Sequence, residues 1–223
     1  MIDVLVPVLG RSPLAMLRSL EYATSNDFFV YFICSPGDDE QIESCKNTNH
    51  TTWVVEWESG RADFARKINW AFSKTTSDWI FQGADDIRFS PNWDTEALEV
   101  AKRNRALVIG TNDLHNPLVK SKAHATHILF ARSYITDYGG TFDGTGAVFS
   151  ETYDHQFVDN EFIALARARK QWAFAEKSVV EHLHPVWNLA AWDPVYEKAF
   201  RETTQDQRLH ARRMHQMHLA GHV

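Results

Sequence analysis

The feature that most constrains the fold is a repeated alternation of strand-like and helix-like patterns within the first 86 residues. The strand-like runs are apolar, and each ends in a polar, turn-forming cluster; they cover residues 2–8, 28–34, 52–57 and 78–82. In the helical segment that opens at Gly60, Phe64, Ile68 and Phe72 recur at helical spacing on one face. This order predicts a parallel sheet with right-handed crossovers and helices on both faces. Such sheets bind ligands beyond the carboxyl ends of their strands, where we expect the polar clusters to converge.

The second half of the chain has a less regular pattern. Helices are predicted at residues 93–102, 158–170, 195–201 and 205–219, and strands at 106–110, 126–131 and 179–184. We expect residues 113–122 to form a loop and the Gly-rich residues 139–152 to be mobile. These patterns predict a single α/β domain over residues 1–187, followed by a helical C-terminal extension over residues 188–223.

Composition narrows the class of protein. The hydrophobic fraction of 44% and charged fraction of 23% are those of a globular chain. The net charge of -6 does not indicate a general nucleic-acid-binding surface. With only two cysteines, no basic leader and no apolar run of about 20 residues, the sequence predicts no membrane span and a cytoplasmic protein.

Two adjacent acids, Asp85 and Asp86, follow the fourth strand-like run. Neighbouring carboxylates repel each other, so a positive group is expected beside them. A divalent cation fits this requirement, because hard cations prefer carboxylate, phosphate and water oxygens. An equally simple interpretation is that one acid caps the turn and the other is solvated.

Three motifs occur in a fixed order along the first half of the chain. Val6-Pro7-Val8-Leu9-Gly10-Arg11 ends the first strand, Lys67-Ile68-Asn69 lies in the third helix, and Ala84-Asp85-Asp86 follows the fourth strand. Together they resemble the nucleotide-binding half of GT-A-fold glycosyltransferases of the family 2 type. The resemblance covers residues 2–95 well and residues 125–187 more loosely. It departs from many relatives at Ala84, where they carry a third acid.

The resemblance implies a Rossmann-like GT-A domain with a mixed, mostly parallel sheet. Residues 1–95 would form its nucleotide-binding half and residues 96–187 its acceptor and catalytic half. The residues expected near the nucleotide are Pro7, Arg11, Asp38, Asp39, Lys67 and Asn69. Asp86 would match the metal-binding acid, and Asp85 would contact ribose or a metal-bound water. From the sequence alone, Arg11 and Lys67 could instead be ordinary solvated charges on the surface.

Asp159 and Glu161 begin the helix predicted at residues 158–170. On a helical wheel Asp159 lies near the apolar side, and Glu161 points roughly opposite. An inverting transferase needs a carboxylate as the general base for the acceptor hydroxyl. The Asp-Asn-Glu run resembles the family's catalytic element, which makes Asp159 the candidate base and Glu161 the reserve. The alternative is that Asp159 caps the helix.

His182 and His184 are spaced to lie on one face of the strand predicted at residues 179–184. The resemblance implies a late histidine as a ligand of Mn²⁺ or Mg²⁺, with His184 the first choice and His182 the second. A zinc site made of these histidines alone is disfavoured, because no third spaced ligand accompanies them.

The sequence therefore predicts a hexosyltransferase that uses a nucleotide-sugar donor, by default a UDP-sugar. The acceptor would be a hydroxyl of a glycan, a protein or a modified DNA base, and a small phage or bacterial tailoring enzyme would suit such a chain. Residues 139–152 would act as a lid over the donor. Two other classes stay open: a nucleotidyltransferase of similar fold and a non-catalytic nucleotide- or sugar-binding module.

Overall fold

Eight strands form one sheet in the computed structural model, which describes residues 1–221 apart from the side chain of Glu202. The strands are β1 Ile2–Val8, β2 Phe28–Cys34, β3 Thr51–Val54, β4 Trp79–Gln82, β5 Ile87–Phe89, β6 Val108–Asn112, β7 Ile128–Ala131 and β8 Trp172–His182. The helices are α1 Leu14–Ala23, α2 Asp39–Lys46, α3 Asp63–Lys74, α4 Trp93–Asn104, α5 Pro117–Lys120, α6 Arg132–Asp137, α7 Val158–Ala168 and α8 Pro194–Leu219. A 3₁₀ turn spans Pro185–Trp187. The last two residues of the predicted extension, 222–223, lie outside the described range.

The sheet is mixed and mostly parallel, in the order β3-β2-β1-β4-β7-β6-β8-β5. Strands β1 to β4 are mutually parallel, as the alternating pattern predicts. Strand β7 runs antiparallel between β4 and β6, and β5 pairs antiparallel with β8 at the edge. The carboxyl ends of β1 and β4 therefore lie side by side.

Two apolar clusters cover the two faces of the sheet. Val4, Val6 and Val8 of β1 face α1, α2 and α4, whereas Leu5 faces the cluster built with α3, α6 and α7. This alternation is the period-two pattern of a strand buried on both faces. The predicted doubly wound α/β architecture is confirmed.

The second half departs from several predictions. Strand β5 and helices α5 and α6 were not predicted, and α5 lies within residues 113–122, which were expected to form a loop. Strand β8 begins seven residues earlier than the strand-like run at 179–184 indicates. The two predicted C-terminal helices form one continuous helix, α8, within which the hydroxyl of Thr203 bonds the carbonyl of Ala199. Within residues 139–152, the amides of Val148 and Phe149 both donate to Asn69 and both side chains are buried, while the mobility of the segment stays a prediction.

No helix within residues 1–221 is long and apolar enough to cross a membrane.

Candidate active site beyond the strand ends

A cavity of about 470 Å³ lies beyond the carboxyl ends of β1 and β4. The loops after these strands, the start of α3, residues 154–159, the end of β8 and the first turn of α8 enclose it. The charged and ionisable side chains in its wall include Arg11, Lys67, Asp85, Asp86, Asp159 and His182. Segments far apart in the sequence thus meet at the sheet edge where the strand pattern predicts a ligand site.

Gly83 brings the acidic pair to this edge. Its amide donates to the carbonyl of Leu5 over 2.9 Å, which prolongs the contact between β4 and β1 beyond the last residue of β4. A Cβ at position 83 would stand 3.0 Å from the same carbonyl oxygen. The absence of a side chain therefore lets the chain stay close to β1 before it turns into Asp85 and Asp86.

Arg11 supplies the positive charge that the adjacent acids require. Its Nε donates to Asp85 Oδ1 over 3.1 Å, and its Nη2 lies 4.0 Å from Asp86 Oδ2. Burial and the neighbouring Asp86 raise the pKa of Asp85 to about 7, although Arg11 opposes this shift. The two neighbouring carboxylates thus differ in direction: the pKa of Asp85 is raised and that of Asp86 is lowered.

Asp86 is held by two further groups. Its Oδ2 lies 3.2 Å from His182 Nε2 and accepts a 2.7 Å hydrogen bond from the phenol of Tyr196. Burial alone would raise the pKa of Asp86, but His182, Arg11 and Tyr196 outweigh it and hold the pKa below its usual value. The same contact reverses the effect of burial on His182 and raises the pKa of that ring.

His184 lies beside this group but not within it. Strand β8 ends at His182, so His184 lies beyond the strand, where its Nδ1 accepts the amide of Val186 over 3.2 Å. Its ring centroid is 4.7 Å from that of Tyr196 and 5.0 Å from that of His182. Burial and the nearby His182 lower the pKa of His184 to about 4, which leaves its ring neutral at pH 7.

The donor types present suit a divalent cation, because carboxylate oxygen and imidazole nitrogen both ligate Mn²⁺. Within residues 1–221, however, no group of three or more His, Cys, Asp or Glu side chains is arranged to hold a metal ion. Asp86 with one histidine provides two protein ligands. The residues therefore fit a cation only in a site that ligand oxygens complete.

The first turn of α8 closes the same side of the cavity. Arg11 Nη1 donates to Asp193 Oδ2 over 3.1 Å, and the guanidinium lies 4.1 Å from the ring centroid of Tyr196. Asp193 also caps α8 by accepting the amides of Val195 and Tyr196. Sequence reasoning missed Asp193 and Tyr196 as site residues. The Asp-Pro signal marks a helix start, but it does not show what that helix contacts.

The remaining residues expected at the nucleotide have different positions. Pro7 lines the cavity. Asp38 does not, but its Oδ2 accepts the amide of Gly10 over 2.7 Å and so holds the loop that carries Arg11. Asp39 is exposed at the start of α2, outside the cavity wall.

Lys67 and Asn69 both act inside the protein. Lys67 is 1% exposed, and its ammonium group contacts the carbonyl of Val8, the hydroxyl of Ser35 and a carboxylate oxygen of Asp63, each within 2.9 Å. These contacts use all three of its protons, so it forms part of the cavity floor with its charge already paired. Asn69 does not line the cavity; it holds residues 148–151 by its amide group.

Asp159 lines the cavity, and its side chain is 23% exposed. Its Oδ2 lies 3.4 Å from His124 Nε2, and its Oδ1 accepts the amide of Asn160. Burial alone would raise the pKa of Asp159, but the contacts with His124 and Asn160 outweigh it and lower the pKa. A carboxylate of this kind is ionised and accessible from the cavity at neutral pH.

Glu161, unlike Asp159, is buried away from the cavity, and the expectation that it points outward is wrong. It is 1% exposed; Arg213 donates to its carboxylate over 2.6 and 2.8 Å, and Tyr153 donates over 2.8 Å. Helix α8 covers the side of α7 that a helical wheel assigns to solvent. The structure therefore does not bring Glu161 to the cavity.

Asp206 of α8 holds the loop before Asp159. It is 1% exposed, and its two carboxylate oxygens accept the consecutive amides of Asp154, His155 and Gln156, each over 2.8 Å. These loop residues line the cavity. Sequence reasoning did not identify Asp206, because no local pattern links it to a loop 50 residues away.

The fold is the GT-A fold, which the chain shares with solved structures of glycosyltransferases. No protein-family model and no curated protein sequence matches the chain. Among solved structures, it is similar to the mannosyltransferase PcManGT from Pyrobaculum calidifontis in complex with GDP-Man and Mn²⁺, at 16% identity and a TM-score of 0.62. That match covers 82% of this chain and 57% of the mannosyltransferase.

Two further structures share the fold. TarS 1-349 from S. aureus in complex with UDP-GlcNAc matches at 15% identity and a TM-score of 0.61, over 80% of this chain and 57% of TarS 1-349. Glucosyl-3-phosphoglycerate synthase from Mycobacterium tuberculosis, in complex with Mn²⁺, UDP-Glc and phosphoglyceric acid, matches at 10% identity and a TM-score of 0.59. That match covers 89% of this chain and 74% of the synthase. The chain therefore spans little more than half the length of PcManGT and TarS 1-349.

Proposed function

We propose that this chain is a glycosyltransferase that moves a hexose from a UDP-sugar to an acceptor hydroxyl. One observation carries the proposal: Arg11, Asp85 with Asp86, Asp159 and His182 come from separate segments and line one cavity of about 470 Å³. This volume lies within the range of roughly 300–1,000 Å³ that is usual for small-molecule and cofactor sites. Cationic, acidic and basic groups are thus available for a diphosphate, a cation and an acceptor proton.

The similar structures support the choice of donor. Their complexes contain UDP-GlcNAc, GDP-Man and UDP-Glc, and two of the three contain Mn²⁺. We take a UDP-sugar as the donor because two of these three nucleotide sugars carry UDP. The acceptor belongs to one of three classes: a glycan, a protein or a modified DNA base.

At the nucleotide end, Arg11 and Pro7 are the proposed contacts, because both line the cavity beside Asp85. Asp38 holds the Gly10 amide of the same loop, and Lys67 holds the carbonyl of Val8 at the end of β1. We assign these two residues to positioning the nucleotide-binding loop. Asn69 and Asp39 lie outside the cavity wall and keep no proposed contact with the nucleotide.

A divalent cation, Mn²⁺ or Mg²⁺, belongs to the proposal, with Asp86 and either His184 or His182 as its protein ligands. Diphosphate oxygens of the donor would complete its coordination shell. When bound, it would offset the negative charge that develops on the departing nucleotide. Asp85 beside it would contact ribose or a metal-bound water.

Asp159 is the proposed general base. The acceptor oxygen forms a bond to the anomeric carbon as the bond from that carbon to the diphosphate breaks, and the nucleotide leaves with the electron pair. Asp159 takes the acceptor proton, and attack opposite the leaving group inverts the anomeric carbon. His124 orients this carboxylate and keeps it ionised through their 3.4 Å contact.

The proposal is tested by thermal stabilisation of the chain with UDP, UDP-sugars, GDP-mannose and nucleoside triphosphates, each with and without Mn²⁺. A ligand in 100-fold excess over its Kd stabilises the native state by about 2.7 kcal/mol. Stabilisation that is selective for UDP compounds and increases with Mn²⁺ is the expected result. A response to nucleoside triphosphates alone would favour a nucleotidyltransferase, and no response to any nucleotide would refute the proposal.

A further inference from the structure

Two neighbouring side chains in the cavity wall each carry a buried polar atom that has no protein partner. Within residues 1–221, the buried side-chain atoms without a hydrogen bond are Gln41 Oε1, Thr52 Oγ1, Gln82 Oε1 and His127 Nε2. Gln82 and His127 line the cavity, whereas Gln41 and Thr52 do not. An unpaired buried polar atom is costly, so two in one cavity wall indicate a ligand that pairs with them.

Gln82 and His127 contact each other across adjacent strands. Gln82 ends β4, and His127 immediately precedes β7, the antiparallel neighbour of β4. Gln82 Nε2 lies 3.2 Å from His127 Nδ1, which also lies 3.3 Å from the carbonyl oxygen of Gln82. If the oxygen and nitrogen of the Gln82 amide are exchanged, one of these two atoms still has no partner. If the proton of the His127 ring is moved to the other nitrogen, Nε2 still has no partner.

The pair lies beside the acidic group already described. The ring centroids of His127 and His182 are 5.3 Å apart, and His182 contacts Asp86. Gln82 is three residues before Asp85 in the sequence. Whatever binds these two atoms is therefore next to the proposed diphosphate and cation site.

The chemistry of the pair favours hydroxyl groups. The unpaired amide atom of Gln82 and Nε2 of His127 can each accept or donate a hydrogen bond. A sugar hydroxyl can both donate and accept, so it can pair with either atom. The amide of Gln82 carries no charge at any pH near neutrality, so it offers no cationic group to a phosphate. An uncharged, hydroxyl-rich group is the complementary ligand.

We propose that Gln82 and His127 bind hydroxyl groups of the donor's sugar ring and thereby determine which sugar the protein accepts. This inference rests on the proposed function, because it needs a nucleotide sugar in the cavity. It adds two specificity-determining residues that no sequence motif indicates.

Calorimetric titration with UDP and with UDP-glucose, UDP-galactose and UDP-GlcNAc tests the inference, using the wild type and Gln82→Met. Methionine keeps the length of the side chain and removes both amide atoms. We expect the Kd of the preferred UDP-sugar to rise about tenfold or more, while the Kd of UDP changes less than about twofold. The preference among the three sugars should shrink by the same factor.

Gln41→Met is the matched control, because Gln41 is a buried glutamine with an unpaired Oε1 outside the cavity. It should leave every Kd unchanged. If Gln82→Met does not fold, as judged by circular dichroism, Gln82→Asn tests the same prediction by withdrawing the amide from the ligand. His127→Gln is the companion variant and should also weaken the UDP-sugar selectively.

Three outcomes contradict the inference alone: equal losses for UDP and UDP-sugar in the Gln82 variants, no loss for either, or a wild type whose sugar adds nothing to the affinity for UDP. A wild type that binds neither UDP nor any UDP-sugar refutes the proposed function as well. The two failures are thus distinguishable in a single set of titrations.

Discussion

The two sides of the cavity are built in different ways. On one side, β1 and β4 deliver Arg11, Asp85 and Asp86 at the ends of parallel strands that follow a regular pattern. On the other side, helix α8 contributes Tyr196 to the cavity wall, its N-cap Asp193 binds Arg11, and its Asp206 supports the loop before Asp159. The strand side depends on the topology of the sheet, whereas the helix side depends on individual long-range contacts.

Because of this difference, α8 affects the site mainly by holding residues of other segments in place. Its first turn contacts Arg11 and Asp86 at the proposed donor side, and Asp206 and Arg213 contact the segment that carries the proposed base. The helix therefore spans the two halves of the site. We expect substitutions in α8 to displace the side chains that line the cavity. We expect substitutions at the strand ends to weaken binding of the nucleotide sugar directly.

The largest expected effect on stability is at the buried ion pair between α7 and α8. Glu161→Ala removes the buried carboxylate that accepts from Arg213 and Tyr153, and leaves the guanidinium of Arg213 with Asp143 alone. Removing one member of a buried pair costs about 3–5 kcal/mol, and we expect a loss near the lower end of that range because Asp143 still pairs with Arg213. Chemical denaturation should show this loss in the free energy of unfolding.

Glu197→Ala is the control for that measurement, since Glu197 makes a 4.0 Å ion pair with Arg201 and its side chain is 56% exposed. It should change stability by less than about 1 kcal/mol. A Glu161→Ala loss no larger than that of the control would show that this ion pair does not anchor α8 to α7.

A smaller effect is expected at Asp206. Asp206→Asn keeps the shape of the side chain, but one of the two accepting oxygens becomes an NH₂ group facing backbone amides of residues 154–156. Hydrogen bonds to a charged group contribute about 1.5–3 kcal/mol, and we expect a loss in that range. Amide hydrogen exchange of residues 154–156 should accelerate more than exchange in β1, and uniform exchange in both segments would contradict a local role.

The smallest effect is a shift in pH dependence. His124 holds the pKa of Asp159 below its usual value, so His124→Asn should let that pKa rise. A base acts only when ionised, and the rate falls as the pH drops through its pKa. The acidic limb of the kcat/KM profile should therefore move to higher pH, with little change at pH 8. A limb that stays in place would show that Asp159 does not limit the rate at low pH.

Much of the strand side could be predicted from the sequence. The bounds of β1 and β2 match the apolar runs, because strands buried on both faces appear as continuous apolar stretches ended by Gly or Pro. The general rule for parallel sheets then places Asp85 and Asp86 at the ligand edge. The contacts that fix each side chain could not be predicted, nor could the positions of Asp39 and Asn69 outside the cavity wall.

The helix side could not be predicted in this way. Asp193 lies 182 residues from Arg11, and Arg213 lies 52 residues from Glu161, so no local periodicity connects them. A helical wheel assigns Glu161 to solvent because it does not include a second helix packed on that side. Strand β8 was also predicted too short, since charged residues interrupt the apolar pattern near its middle.

In the proposed mechanism one cavity binds a UDP-sugar, and Asp159 removes the acceptor proton there. The most direct test compares Asp159→Asn with the wild type in calorimetric binding of UDP-glucose and in the rate of UDP release from it. Loss of a general base lowers a rate by about 10²–10⁴-fold, so release should fall by that factor while the Kd stays within about twofold of the wild type. Unchanged release by Asp159→Asn, with binding intact, would show that Asp159 is not the general base.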